Sequence, residues 1–282
     1  MDVDLLDDAV ATVGSDRYET RPFLKIRRAY VDALAAGRRK HTIHGLVEID
    51  VTASRLAMQH HEQAGRPVSF TAFLVRAVAR AVEADRMMHA YRRRNRLVLF
   101  DDVDVNTQVE IDLAGQTIPK SVVVRAANRK TVEAISDEIR AAQHPRDDDR
   151  FYRAMLAFAT MPRAIRSLAW RAVMTNPAWF KRLGGTVGLS SIGMFGPGGG
   201  WGIPIAPTTL MITVGGITTQ PQLRNGTLEE REMLSLTISV DHDIVDGAPA
   251  ARFVRHLAEL IEKADGLDTV GHCRGPSEYR GQ

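Results

Sequence analysis

Over residues 234–240, apolar Leu234, Leu236, Ile238 and Val240 alternate with Ser235, Thr237 and Ser239. A period of two predicts a strand with one buried face. The period then changes, because Ala251, Phe253, Val254, Leu257, Leu260 and Ile261 recur at helical spacing over residues 248–263. That segment is expected to be an amphipathic helix. The same rules place a helix at 27–36 ended by Gly37, a strand at 43–51, a helix at 52–64, and a longer helix capped by Ser69. Further strands are expected at 96–100 and 103–111, on either side of an Asp101-Asp102 turn, and at 121–124, with a helix at 131–143. Residues 1–20 read as a polar arm and 269–282 as a tail, flanking one domain over 21–268. Strands and helices mix without strict βαβ alternation, so a mixed sheet covered by helices is expected, not a doubly wound sheet.

The break between the last strand and the last helix holds the chemistry. His242 follows the strand, Asp246 lies four residues on, and Gly247 allows a turn before the helix. An imidazole titrates near neutral pH, so a histidine fixed at the end of a rigid strand is a candidate general base. Asp246 has two readings, a helix cap or the partner of an arginine.

His242-x-x-x-Asp246-Gly247, the block Gly185-Thr-Val-Gly-Leu-Ser-Ser-Ile-Gly-Met-Phe-Gly196, and the run from Pro204-Ile205 to Val214-Gly215-Gly216 resemble motifs of one family. It is the catalytic domain of the dihydrolipoamide acyltransferases of 2-oxoacid dehydrogenase complexes, with the related chloramphenicol acetyltransferases. Ile26-Arg27-Arg28-Ala29 and Val47-Glu-Ile-Asp-Val-Thr52 are similar to the family's opening segments, and the resemblance spans roughly residues 21 to 266. It implies a two-layer α/β sandwich of the chloramphenicol acetyltransferase type. It also implies an acyl group moving between coenzyme A and a thiol or hydroxyl acceptor, with His242 as base and Ser190 binding the oxyanion. Asp246 would pair with Arg27 to shape the site, with Ser191 and Gly247 in support. A homotrimer or larger symmetric assembly follows, with the histidine of one subunit facing the serine of its neighbour. The alternatives are a small-molecule O-acetyltransferase and a non-catalytic scaffold that keeps the fold.

Three departures from the family pattern bear on specificity. Asp243 stands where the dehydrogenase acyltransferases carry arginine, which changes the charge beside the base. No lipoyl-bearing hairpin is read in this sequence, so a lipoyl acceptor is expected from a separate protein. The segment 150–182 reads as an insertion. It holds Phe151, Tyr152, Phe158, Trp170, Trp179 and Phe180, and seven basic residues with no acid. A basic, aromatic helix pair is one pattern for lying on an anionic membrane. Packing of its apolar face over the acyl site or a neighbouring subunit is the reading adopted.

Composition narrows the rest. The 282 residues are 44% hydrophobic and 25% charged, enough for a large core. The net charge is +3, and all but six of the 37 basic residues are arginine, which is residue choice and not a field sized for nucleic acid. A lone cysteine, Cys273, excludes an internal disulfide and, with an acidic start at Met1-Asp-Val-Asp, gives the expectation of a cytoplasmic protein. His60-His61-Glu62 is assigned no metal, because adjacent helical side chains diverge and the stretch reads as a solvated face. Gly196-Pro-Gly-Gly-Gly200 lacks the Lys-Ser/Thr of a phosphate loop and is expected to be a flexible turn. No partner is assigned to His41 or His44.

Overall fold

A computed structural model of the chain describes residues 23, 25–113, 116–143, 150–192 and 198–267. The arm at 1–20 and the tail at 269–282 lie outside the described residues. The elements in order are α1 (Arg27–Gly37), β1 (Thr42–Asp50), α2 (Thr52–Gln63), α3 (Phe70–Ala84), β2 (Tyr91–Arg93) and β3 (Arg96–Val98). There follow β4 (Val105–Leu113), β5 (Gln116–Val124), α4 (Val132–Gln143), α5 (Arg150–Thr160), α6 (Arg163–Val173) and α7 (Pro177–Gly184). The chain continues through β6 (Val187–Ser191), β7 (Leu210–Arg224), β8 (Thr227–Asp241) and α8 (Gly247–Glu262).

Six strands form one sheet in the order β1-β8-β7-β6-β4-β5, while β2 and β3 pair separately. β6 runs parallel to both β4 and β7, and the other pairings are antiparallel, which gives the mixed sheet that the sequence predicts. Period-two alternation turns Leu189, Ile212, Leu236 and Ile238 to one side, where they join Phe73, Ile135, Phe253 and Leu257 in the core. The helices α2, α3, α4 and α8 cover that side. α3 starts where Ser69 Oγ accepts from Ala72 N at 3.0 Å, a cap worth about 1 kcal/mol.

The other side of the sheet carries hydroxyls. Ser190, Thr213 and Thr237 are direct cross-strand neighbours on β6, β7 and β8, so their side chains leave the same face. A segment from residue 198 to 206 runs over this face. Gly200 N donates to Ser235 Oγ at 3.3 Å, Trp201 Nε1 donates to Val47 O at 3.2 Å, and a Cβ on Gly37 would lie 2.9 Å from Ala206 C. β7 bulges between Val214 and Ile217, at Gly215 and Gly216. A Cβ on Gly215 would sit 1.9 Å from Gly200 O, and one on Gly216 1.9 Å from Gly198 O. Residues 198–200 are therefore backbone packed onto backbone, where the sequence suggests a flexible turn.

The insertion is three helices, not a pair. α5 and α6 pack on α1. Arg166 is 7% exposed, and its Nε donates to Asp32 Oδ2 at 2.7 Å. Phe180 of α7 packs against Tyr91 with the rings tilted and their centroids 5.0 Å apart, and the Tyr91 hydroxyl donates to Met174 O. The insertion thus packs on its own chain, and Arg166 is unavailable to an external anion. Ile165, Leu168 and Trp179 remain exposed on its outer side. No described helix is long and apolar enough to cross a membrane.

Candidate active site

His242 is the first residue after β8, and the backbone fixes it from both sides. Its N–H donates to His41 O at 2.7 Å, and the Ile244 and Val245 N–H groups both reach Asp241 O at 3.0 Å, closing a tight turn. Beneath the turn, Asp241 is buried and accepts from Lys40 Nζ. His242 Nδ1 lies 3.1 Å from Val245 O. A carbonyl can only accept, so the contact fixes Nδ1 as the donor and leaves Nε2 with the free lone pair. That is the tautomer a general base needs.

Asp246 occupies the cap position of α8 but makes no side-chain cap bond. Its carboxylate is 86% exposed and 3.7 Å from His242 Nδ1. It sets a negative charge beside a ring that becomes cationic on taking a proton, at solvent-weakened strength. Arg27 is exposed at the start of α1 and makes no ion pair with Asp246 within the chain. Gly247 is the first residue of α8, needs no left-handed backbone, and has nothing within 4 Å of a built Cβ. The turn is made by residues 241–245 instead, so Gly247 has no steric role within this chain.

Asp243 is tied on two sides, to His41 Nδ1 at 2.9 Å and to Arg92 Nη1 at 3.0 Å. The His41 hydrogen bond, with the charges of His41, Arg92 and Lys40, holds its carboxyl below the usual carboxylate range. The residue in place of the family arginine therefore meets cations from β2 and from the residues preceding β1. His41 has no sequence signal as a site residue, because Asp243 is 202 positions away.

Ser190 is half-buried on the hydroxyl face. Ser191, paired with Val214, points to the opposite face and cannot stand beside it. The register also separates Ser190 from His242. Ser190 lies level with Thr213 and Thr237, five residues before His242 and two strands across. At about 3.3 Å per residue and 4.8 Å per strand, the two are on the order of 19 Å apart within one chain. Thr213 and Thr237, at 3% and 0% exposure, have Oγ1 atoms with no hydrogen-bond partner, whereas Ser239 Oγ pairs with His44 Nδ1 at 2.8 Å. Of these buried threonines, Thr237 enters the sequence reading only as part of the 234–240 alternation, and Thr213 is not singled out.

His89, in a short 3₁₀ turn at Arg86–His89, is buried with Nδ1 3.1 Å from Thr186 Oγ1. Burial pushes its imidazole down to about 4. His61 is also buried, so only part of the His60-His61-Glu62 stretch is a solvated face. Among the described residues, no group of three or more His, Cys, Asp or Glu could hold a metal ion.

The family model described as 2-oxoacid dehydrogenases acyltransferase (catalytic domain) matches residues 15–153 and 153–267. The lipoamide acyltransferase component of the branched-chain alpha-keto acid dehydrogenase complex of Bacillus subtilis is 24% identical over 232 residues, covering 80% of this chain and 47% of that protein. The dihydrolipoyllysine-residue acetyltransferase component of the pyruvate dehydrogenase complex of Mycoplasma capricolum is 23% identical over 254 residues, 86% of this chain and 50% of its own length. The chain thus spans about half the length of these relatives. A solved dihydrolipoamide acetyltransferase of Azotobacter vinelandii, studied for the catalytic roles of a serine, a histidine and an asparagine, superposes with a TM-score of 0.66 at 19% identity, covering 93% of this chain and 99% of that one. A probable dihydrolipoamide acetyltransferase of Listeria monocytogenes gives 0.65 at 20% identity, covering 89% and 96%.

Proposed function

Because the chain belongs to the 2-oxoacid dehydrogenase acyltransferase (catalytic domain) family, we propose that it transfers an acyl group between coenzyme A and a thiol or hydroxyl acceptor. The observation that carries this reading is the His242 tautomer, with Nδ1–H held on Val245 O and Nε2 free. Nε2 takes the proton of the acceptor S–H or O–H, and the resulting anion attacks the thioester carbonyl of acyl-CoA. Ser190 donates to the oxyanion, an interaction worth about 3 kcal/mol. Collapse expels the CoA thiolate, which recovers the proton from the imidazolium.

Spacing supports the assignment. In the Azotobacter enzyme the studied serine and histidine are 52 positions apart, with the asparagine four beyond the histidine. Ser190, His242 and Asp246 keep those offsets, with a carboxylate in the last place.

The separation of Ser190 from His242 within one chain supports a complete site shared between two chains, as in a homotrimer or larger symmetric assembly. One similar structure is the cubic core of a pyruvate dehydrogenase multienzyme complex. A lipoyl acceptor borne by a separate protein and a cytoplasmic setting belong to the same proposal.

The test uses two variants. His242→Ala is expected to lose 10² to 10⁴ in acyl transfer and Ser190→Ala 10² to 10³, both with unchanged unfolding curves. Mixed under subunit exchange, the two proteins should regain activity, since some interfaces then hold one intact histidine and one intact serine. An active monomer, or a His242→Ala protein at full rate with saturating acyl-CoA, overturns the reading.

A further inference from the structure

Four of the five residues at 92–96 are arginine, and they form the β2–β3 hairpin. Arg93 lies directly opposite Arg96 in the strand pair. Like charges in that relation repel and weaken a hairpin. Arg94 holds φ +54, a conformation that costs a side-chain-bearing residue strain. All three are exposed, and among the described residues none pairs with a carboxylate. The surrounding arginines differ, since Arg86, Arg92 and Arg129 meet Asp101, Asp243 and Asp102. A tip of unneutralised, mutually repelling cations weakens the free protein and is relieved when an anion binds between them.

Its position says which reaction that anion serves. Arg92 ties the hairpin to Asp243, the residue after His242. From Arg92 the tip lies about 7 Å further along the strand, two residues on. At the root of the hairpin, where Val98 pairs with Tyr91, Val98 and Phe100 line a wide, open depression with Pro177 and Ala178, in which Arg125 and Lys181 are already held by Asp104. The tip therefore projects away from that depression, and it is joined to the candidate base through Arg92 and Asp243.

We propose that Arg93, Arg94 and Arg96 bind the phosphate groups of the acyl-CoA substrate, an assignment that rests on the acyltransferase reading above. Guanidinium forks match phosphate oxygens in pairs, and several on one short turn suit a ligand carrying several phosphates. The anchored hairpin then holds the nucleotide end while the thioester reaches His242.

The test compares the wild-type assembly with an Arg93→Ser/Arg94→Ser/Arg96→Ser variant, using acyl-CoA and the corresponding acyl-pantetheine, which lacks the nucleotide. The variant is expected to raise KM for acyl-CoA about tenfold or more, as loss of one charge-assisted contact predicts, with kcat unchanged and KM for acyl-pantetheine unmoved. Binding of adenosine 3′,5′-bisphosphate, followed by calorimetry, should weaken in the variant and with added salt. If no acyl-CoA is turned over but the bisphosphate still binds and the variant loses it, the anion site stands and the acyltransferase reading falls. If transfer proceeds and the variant leaves KM for acyl-CoA unchanged, or alters it only for an acyl group borne on an acidic carrier protein, the phosphate site is overturned.

Discussion

On β8, Leu234, Leu236, Ile238 and Val240 turn towards the helices and are at most 3% exposed, while Ser235, Thr237 and Ser239 turn the other way and are at most 2% exposed. Burial does not distinguish the two faces, but what meets the side chains does. Towards the helices, apolar groups find apolar groups, and burial is favourable in proportion to area. On the other side, Ser235 and Ser239 find partners in Gly200 N and His44, whereas Thr213 and Thr237 have none. An unpaired buried hydroxyl costs about 1–3 kcal/mol. The first face accounts for the fold, and the second holds the polar groups that the fold does not need.

Substitution can sharpen that contrast. Leu236→Ala on the helix side removes a fully buried side chain and should lower the unfolding free energy by about 2–5 kcal/mol in a urea titration. A loss under 1 kcal/mol would mean that the helix layer collapses onto the gap and that this face is not close-packed. At the border of the hydroxyl side, His89 gives a pH signature. Its imidazole falls from 6.5 unfolded to about 4 folded, so between those values the unfolded chain binds the extra proton. Stability from this group is complete above pH 6.5 and declines as pH falls towards 4. Between pH 7 and pH 5 it should contribute about 2 kcal/mol of loss that a His89→Gln protein lacks. Equal pH slopes for the two proteins would place the ring in contact with water. The smallest effects separate two hydroxyls on one strand. Ser239→Ala should cost about 1 kcal/mol, but Thr237→Val, which deletes an unpaired hydroxyl at nearly constant shape, should be neutral or mildly stabilising. A Thr237→Val penalty as large as that of Ser239→Ala would show that Thr237 has a partner in the assembled protein.

How much of this was legible beforehand differs by face and by range. Alternation in 234–240 places β8, and helical spacing places α3 and α8 to within a residue or two. The mixed sheet follows because the pattern never settles into βαβ. The β2 strand is missed, since Tyr91-Arg92-Arg93 is too short to show a period and its arginines read as loop. At the site, His242 is legible because it interrupts two clear periods. The Asp243–His41 and Asp243–Arg92 pairs are not, because contacts across 202 and 151 positions leave no local pattern. Gly247 shows the converse, being prominent in the motif yet sterically unconstrained in the chain. The register argument that separates Ser190 from His242 requires strand pairing, which one sequence does not encode in readable form.

The glycine contact at the β7 bulge has a consequence for anyone mapping this protein genetically. Any side chain at 215 or 216 meets a carbonyl oxygen at 1.9 Å and must lift residues 198–200 from the hydroxyl face. Saturation mutagenesis scored by growth or turnover would then rank Gly215 and Gly216 alongside His242 as intolerant sites. With His242 as the proposed base on the same map, a reader would infer reactive groups at the glycines too, where there are none, since what those positions supply is the absence of atoms.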